Sequence, residues 1–168
     1  LMTYMQAESY KANATGATAP TGNGLTLPVA GADRTFDDSI LTDALSSLWT
    51  NSGGSENIYA LMGAVLRGKF SKLTGTATRY VSTDDSRLQT SIDVYDGDFH
   101  TVTAMPDRYC KPNAMFLIDP EYVSIDDFRP IFAQDLAVTG DGKSKQIIWE
   151  TTLKVGNPLA HMVIDGLK

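Results

Sequence analysis

The sequence predicts an α+β domain, with helices packed on a largely antiparallel or mixed sheet. Three observations predict it. Apolar residues recur at helical spacing over residues 38–50 and again over 65–73. From Thr76 onward the pattern turns to short alternating runs separated by turn residues. The last long run, Gln146 to Val155, alternates with a period of two: Ile147, Trp149, Thr151, Leu153 and Val155 point one way, and Gln146, Ile148, Glu150, Thr152 and Lys154 the other. Helix, strand, helix and then mostly strands is the order of an α+β fold rather than of repeated βα units.

Along the chain, "LMTYMQAESYKA" places Leu1, Met2 and Met5 in loose helical spacing and reads as the last turns of a helix. "NATGATAPTGNGLTLPVAGAD" has little to bury and reads as a loop. In "RTFDDSILTDALSSLWTNSGG", Ile40, Leu41, Ala44, Leu45, Leu48 and Trp49 form one apolar stripe. Thr35 or Asp37 can cap its start, and Asn51 with Gly53 and Gly54 can end it. Ile58 to Met62 reads as a short buried strand. A second helix follows, with Val65, Leu66, Phe70 and Leu73 inward and Gly75 as terminator.

Strands are then expected at "TRYVS", "SIDVY", "FHTVTAM", "AMFLID" and "YVSI". "DVYDGDFHTVTAM" reads as a hairpin turning near Asp96 and Gly97. "RPIFAQDLAVTGDGKSK" reads as a surface excursion leading into the final long strand, where Trp149 and Leu153 are expected in the core.

Composition bounds the function. The 168 residues, 42% hydrophobic and 20% charged, fit one globular domain, or one with an appendage. The net charge of −6 lacks the basic footprint of a free-standing nucleic-acid-binding module. No apolar run approaches a membrane span. Cys110 stands alone, so no disulfide framework or cysteine metal site is expected. The chain opens on Leu1, which reads as the start of a fragment or processed product.

Chemistry finds little footing. "TGDGKS" is similar to a phosphate-binding loop, but Ala137 stands where the pattern needs Gly, and a strand rather than a helix is expected next. His100 and His161 lack metal-ligand spacing and read as structural. Asp84–Asp85 and Asp126–Asp127 are neighbours whose side chains diverge on a strand, so they make poor acid–base pairs. No catalytic residue, cofactor or metal is expected.

Several phrases together resemble a known family. "FDDSILTDALSSLWTNSGGSENIYALMGAVLRGKFSKL", "GDFHTVTAMPDRY" and "AMFLIDPEYVSIDDFRPIFAQDLAVTGDGKSKQIIWETTLKVGNPLAHMVIDGL" resemble, in order and spacing, the C-terminal half of a tailed-phage major capsid protein of the Hong Kong 97-like fold. The likeness runs from about Arg34 to Leu167.

It implies a remnant of a spine helix and a flexible loop over 1–33, an axial domain over 34–140, and a long strand and C-terminal strand of the peripheral domain over 141–168. The N-terminal arm and extended loop of such proteins are not visible in this sequence. The hairpin at Gly97 would reach toward the capsomer axis. Candidate contacts between copies are Asp96, Gly97, Asp98, Arg108, Arg129, Glu150 and Lys154.

The implied function is a non-enzymatic subunit that assembles into pentamers and hexamers of a shell. That shell would enclose DNA without reading its sequence, in a virion put together in a bacterial cytoplasm. No membrane partner is implied, and a chain lacking the arm could stay monomeric. The alternatives are an encapsulin-like compartment shell, a small hydrolase or nucleotide-binding enzyme, and a binding module.

Overall fold

A computed structural model describes residues 2, 5–13, 15–52, 56–73, 94–137 and 140–168. The proposed strand at 78–82, the pair Asp84–Asp85, the start of "SIDVY", the helix stops at Gly53, Gly54 and Gly75, and Thr139 lie outside these residues.

The fold is α+β with a mixed sheet. The strands are β1 (Tyr10–Lys11), β2 (Ala17–Thr18), β3 (Val29–Ala30), β4 (Asn57–Met62), β5 (Val94–Asp96), β6 (Thr101–Pro106), β7 (Met115–Ile118), β8 (Val123–Asp135), β9 (Lys145–Val155) and β10 (Met162–Ile164). The helices are α1 (Asp38–Ser52) and α2 (Ala64–Phe70). The chain divides into two compact units, one of residues 1–120 with 157–168 and one of residues 121–156.

The larger unit is built on a six-stranded sheet in the order β1-β10-β7-β4-β6-β5. β1 runs parallel to β10 and β4 parallel to β6, while the other neighbours are antiparallel. Alternation decides what each strand buries. On β4, Ile58, Ala60 and Met62 are buried and join Val102, Ala104, Met115, Leu117, Met162 and Ile164 in one core. From α1, Leu41, Ala44, Leu45 and Leu48 close that core, and from α2 Leu66 and Phe70. Each such leucine contributes about 1.5–3 kcal/mol by leaving water.

The α1 helix begins where expected, with the Asp38 amide donating to Asp37 Oδ1 at 2.8 Å. Two residues of the proposed stripes depart from it. Val65 is 64% exposed, because Leu66 and Phe70, four apart, define the buried line of α2 and Val65 is one residue off it. Trp49, at the end of α1, is also exposed. Leu73 does pack against the core.

The N-terminal residues differ from the expected helix end. A 3-10 turn at Ala7–Ser9 leads straight into β1. There Met5 and Tyr10 pack against Val163 on the side of β10 away from the main core. A polar network ties this segment down: Tyr10 donates to Asp165 Oδ2 at 3.0 Å, and Lys111 Nζ lies 2.9 and 2.8 Å from the two oxygens of the same carboxylate.

The smaller unit is a two-stranded antiparallel ribbon of β8 and β9. The long alternating strand at 146–155 is present. The surface excursion proposed for 129–145 starts later than expected, since β8 continues to Asp135. Its pattern was hidden by two irregularities, between Asp127 and Arg129 and between Arg129 and Phe132, each of which inserts one surplus residue on β8. Each surplus residue breaks the period of two, and Pro130 lies inside the second.

Candidate assembly surfaces

The first candidate surface is the turn of the β5–β6 hairpin, which brings Asp96, Gly97 and Asp98 together. Asp96 pairs with Thr101 across the strands, and the Thr101 hydroxyl donates to Asp96 Oδ1 at 2.9 Å. The Gly97 amide donates to His100 O at 3.1 Å and closes the turn. Space is tight at Gly97: a Cβ would stand 3.1 Å from Tyr95 Cε1, 3.4 Å from His100 O and 3.7 Å from Leu45 Cδ1, so the Tyr95 ring would have to give by a few tenths of an ångström. The turn therefore sits directly on α1. Tyr95 fixes the other side by donating to Asp38 Oδ1 at 3.1 Å. Burial, with the Asp38 and Asp98 carboxylates adding, pushes the Tyr95 hydroxyl pKa up, so it remains a donor.

Trp49 belongs to this surface rather than to the core. Its ring lies 5.6 Å from that of Phe99, with the planes tilted 38°. Trp49 is 54% exposed and Phe99 37%. The result is a rigid aromatic pair beside two exposed carboxylates. The sequence carried this signal, an aromatic at the last apolar position of an amphipathic helix, but its periodicity alone assigned Trp49 to the core.

Arg108 is not part of the hairpin. It sits in the turn after β6, where the Asp107 amide donates to Met62 O at 2.9 Å, and the Tyr109 amide donates to Asp107 Oδ1 at 3.0 Å. Arg108 is exposed and Tyr109 is 88% exposed. Among the described residues, Arg108 makes no ion pair.

In the ribbon, Arg129, Glu150 and Lys154 share one face. Arg129 Nε donates to Glu150 Oε2 at 2.7 Å, and Lys154 Nζ reaches Asp126 Oδ2 at 3.1 Å. Lys154 and Ser124 hold the Asp126 carboxyl below its usual pKa. The partners of Asp126 thus include a lysine on the strand opposite. The other face follows from the pairs Val123 with Val155, Ile125 with Leu153, and Ala133 with Ile147. Trp149 joins that face, its indole Nε1 donating to Asp127 Oδ1 at 2.9 Å.

The expectation that Trp149 and Leu153 are core is overturned, since both are at least half exposed, as are Ile125 and Ile147. The alternation read from sequence gives the facing correctly. What it could not give is a cover, and a two-stranded ribbon supplies none.

The two histidines lie within the larger unit. His100 and His161 are both buried. The Asp119 amide donates to His161 Nδ1 at 3.2 Å, which makes Nδ1 the acceptor and leaves the proton on Nε2. Burial lowers the His100 pKa, and the nearby Asp119 carboxylate offsets part of that shift. After Gly140, the "TGDGKS" stretch runs into β9 rather than into a helix, so it has no helix N-terminus to hold a phosphate. Among the described residues, no group of His, Cys, Asp and Glu could hold a metal ion.

With these surfaces in view, comparison with known proteins gives a family. A family model described as SU10 major capsid protein matches residues 3–168. No curated protein matches. The crystal structure of a virus-like particle from Pyrococcus furiosus is similar at 10% identity and a TM-score of 0.39, with 80% of this chain aligned to 56% of that one. The chain thus spans little more than half of that solved chain, and a likeness at that score carries no argument.

Proposed function

The chain belongs to the SU10 major capsid protein family, and from that premise we propose that it tiles a Hong Kong 97-like shell by contacts with further copies of itself. The role is structural rather than catalytic. The observation that supports this reading is the ribbon, whose strands gather Ile125, Ile147, Trp149 and Leu153 on one face without burying them. The largest contiguous apolar patch on a protein surface often marks an interaction site, and these four exposed side chains form one such patch on a single strand pair.

We assign β4 to β8 and the two helices to the axial domain expected for residues 34–140, and β9 and β10 to the peripheral domain expected for 141–168. The hairpin turn at Gly97 and the ribbon are the two surfaces offered to neighbours. Asp96, Gly97, Asp98 and Arg108 act on the first unit, and Arg129, Glu150 and Lys154 on the second. Such contacts can be weak singly, because many act together once a ring has formed. The net charge of −6 suits a wall that encloses DNA without gripping it. The particle is the virion, assembled in a bacterial cytoplasm. The family match favours this reading over an encapsulin-like compartment.

Negative-stain electron microscopy of protein expressed from the complete natural reading frame is expected to show closed shells or rings. Dispersed monomers at high concentration would sink the reading.

A further inference from the structure

The hairpin turn and the Arg108 turn lie at opposite ends of the same strand. β6 runs from Thr101 to Pro106. Residues 97–100 form the turn that enters it, and residues 107–110 form the turn that leaves it. Six strand residues at about 3.3 Å each separate the two by roughly 20 Å. Their chemistry is complementary. The entering turn carries the Asp96 and Asp98 carboxylates beside the exposed Trp49 and Phe99 rings. The leaving turn carries an exposed guanidinium without an ion pair among the described residues, and beside it the nearly bare Tyr109 ring.

Both turns are tied by backbone hydrogen bonds before any partner arrives. The Gly97 amide donates to His100 O, and Asp107 is held through Met62 O and the Tyr109 amide. A backbone fixed beforehand lowers the ordering entropy lost on contact. Arg, Tyr and Trp are also the residue types that dominate interface energetics, and arginine gains both from a carboxylate and from an aromatic face.

The geometry points to a head-to-tail contact in which the Arg108–Tyr109 turn of one copy docks on the Asp96–Asp98 turn and the Trp49–Phe99 pair of the next. This rests on the capsid-subunit reading and names the surfaces by which it operates. Two different patches at the ends of one strand can also be satisfied in an antiparallel two-fold pair, each meeting the other on its partner; the capsid reading selects the head-to-tail arrangement. Repeated from copy to copy it generates a ring when the rotation closes. The charged pair sets register and direction, and the aromatics supply the area.

The test is sedimentation velocity on the wild-type chain and on three variants: Asp96→Lys with Asp98→Lys, Arg108→Glu, and all three changes together. Asp98→Lys alone serves as a second probe of the acidic turn, because Asp96 also holds Thr101. The wild type is expected to form rings. Each single-ended reversal is expected to weaken assembly at least tenfold, and the combined reversal to restore it. An equimolar mixture of the two single-ended variants is expected to recover assembly with the two alternating, because each end of one then meets an end of opposite charge on the other. Rings that form equally well with either end reversed would overturn the inference while leaving the capsid reading in place. A wild-type chain that stays monomeric at high concentration would overturn the inference, whereas the capsid reading stands or falls with the complete reading frame.

Discussion

Lys111 Nζ sits 2.8 Å from Oδ2 of Asp165, a carboxylate with no exposed side-chain surface, while the lysine itself is 40% exposed. The same carboxylate accepts from Tyr10 and from the Gly166 amide. One buried charge therefore joins the N-terminal strand, the turn after β6 and the C-terminal residues of the larger unit. Replacing Lys111 with Met would strand that charge. The expected cost is about 3 kcal/mol, at the low end for a broken buried pair because Lys111 is partly solvated. Urea unfolding measures it, and a loss under about 1 kcal/mol would mean the carboxylate is already satisfied by Tyr10 and Gly166.

Trp149 supplies a contrasting case. Its ring is 58% exposed on the ribbon, so Trp149→Asp leaves the core of the six-stranded sheet untouched. The thermal midpoint is expected to stay within about 2 °C of wild type while self-association falls. A variant found only in inclusion bodies would show that the ribbon face is part of the folding core after all.

Leu48 is fully buried between α1 and the sheet. Leu48→Ala is expected to cost about 2–5 kcal/mol, the sum of lost transfer energy and residual cavity. Chemical denaturation with an unchanged slope would confirm it, and a cost below about 1 kcal/mol would place the core elsewhere.

His100 gives a pH dependence with a definite sign. Its folded pKa is lowered from 6.5 by burial, so the unfolded chain binds the proton more readily. Stability is therefore full above 6.5 and declines as pH falls below it toward the folded value. His100→Gln removes this group's share of the decline. Thermal midpoints measured from pH 7.5 to 5 should fall less steeply in the variant, and parallel curves would remove His100 from the account.

Much of the larger unit was legible in the sequence, because its elements obey simple periods. The stripe from Leu41 to Leu48 predicts a buried face and is buried, and of the run from Ile58 to Met62, read as a buried strand, Ile58, Ala60 and Met62 are buried while Tyr59 is 39% exposed. The hairpin at Gly97 was marked by its turn residues. The failures share one cause, which is that periodicity reports facing and not cover. Trp149 and Leu153 face together as read, but nothing in a two-stranded ribbon lies over them. Trp49 and Val65 sit at the margins of helical stripes, where one residue's rotation exchanges core for solvent. The ion pair of Asp126 with Lys154 was not legible, because the two are remote in sequence.

The two surplus residues of β8 also make the ribbon's strands unequal in how they bear a change of length. Thirteen residues of β8 lie against eleven of β9. Losing Phe128, beside the first irregularity, would let the ladder heal, with Ile125 still opposite Leu153 and Ala133 still opposite Ile147. β9 holds no such slack. Removing Thr151 would throw one half of that strand upside down, sending Glu150 or Lys154, according to which half turns, to the greasy side. Evolution and the engineer alike can shorten one strand of this pair and not the other.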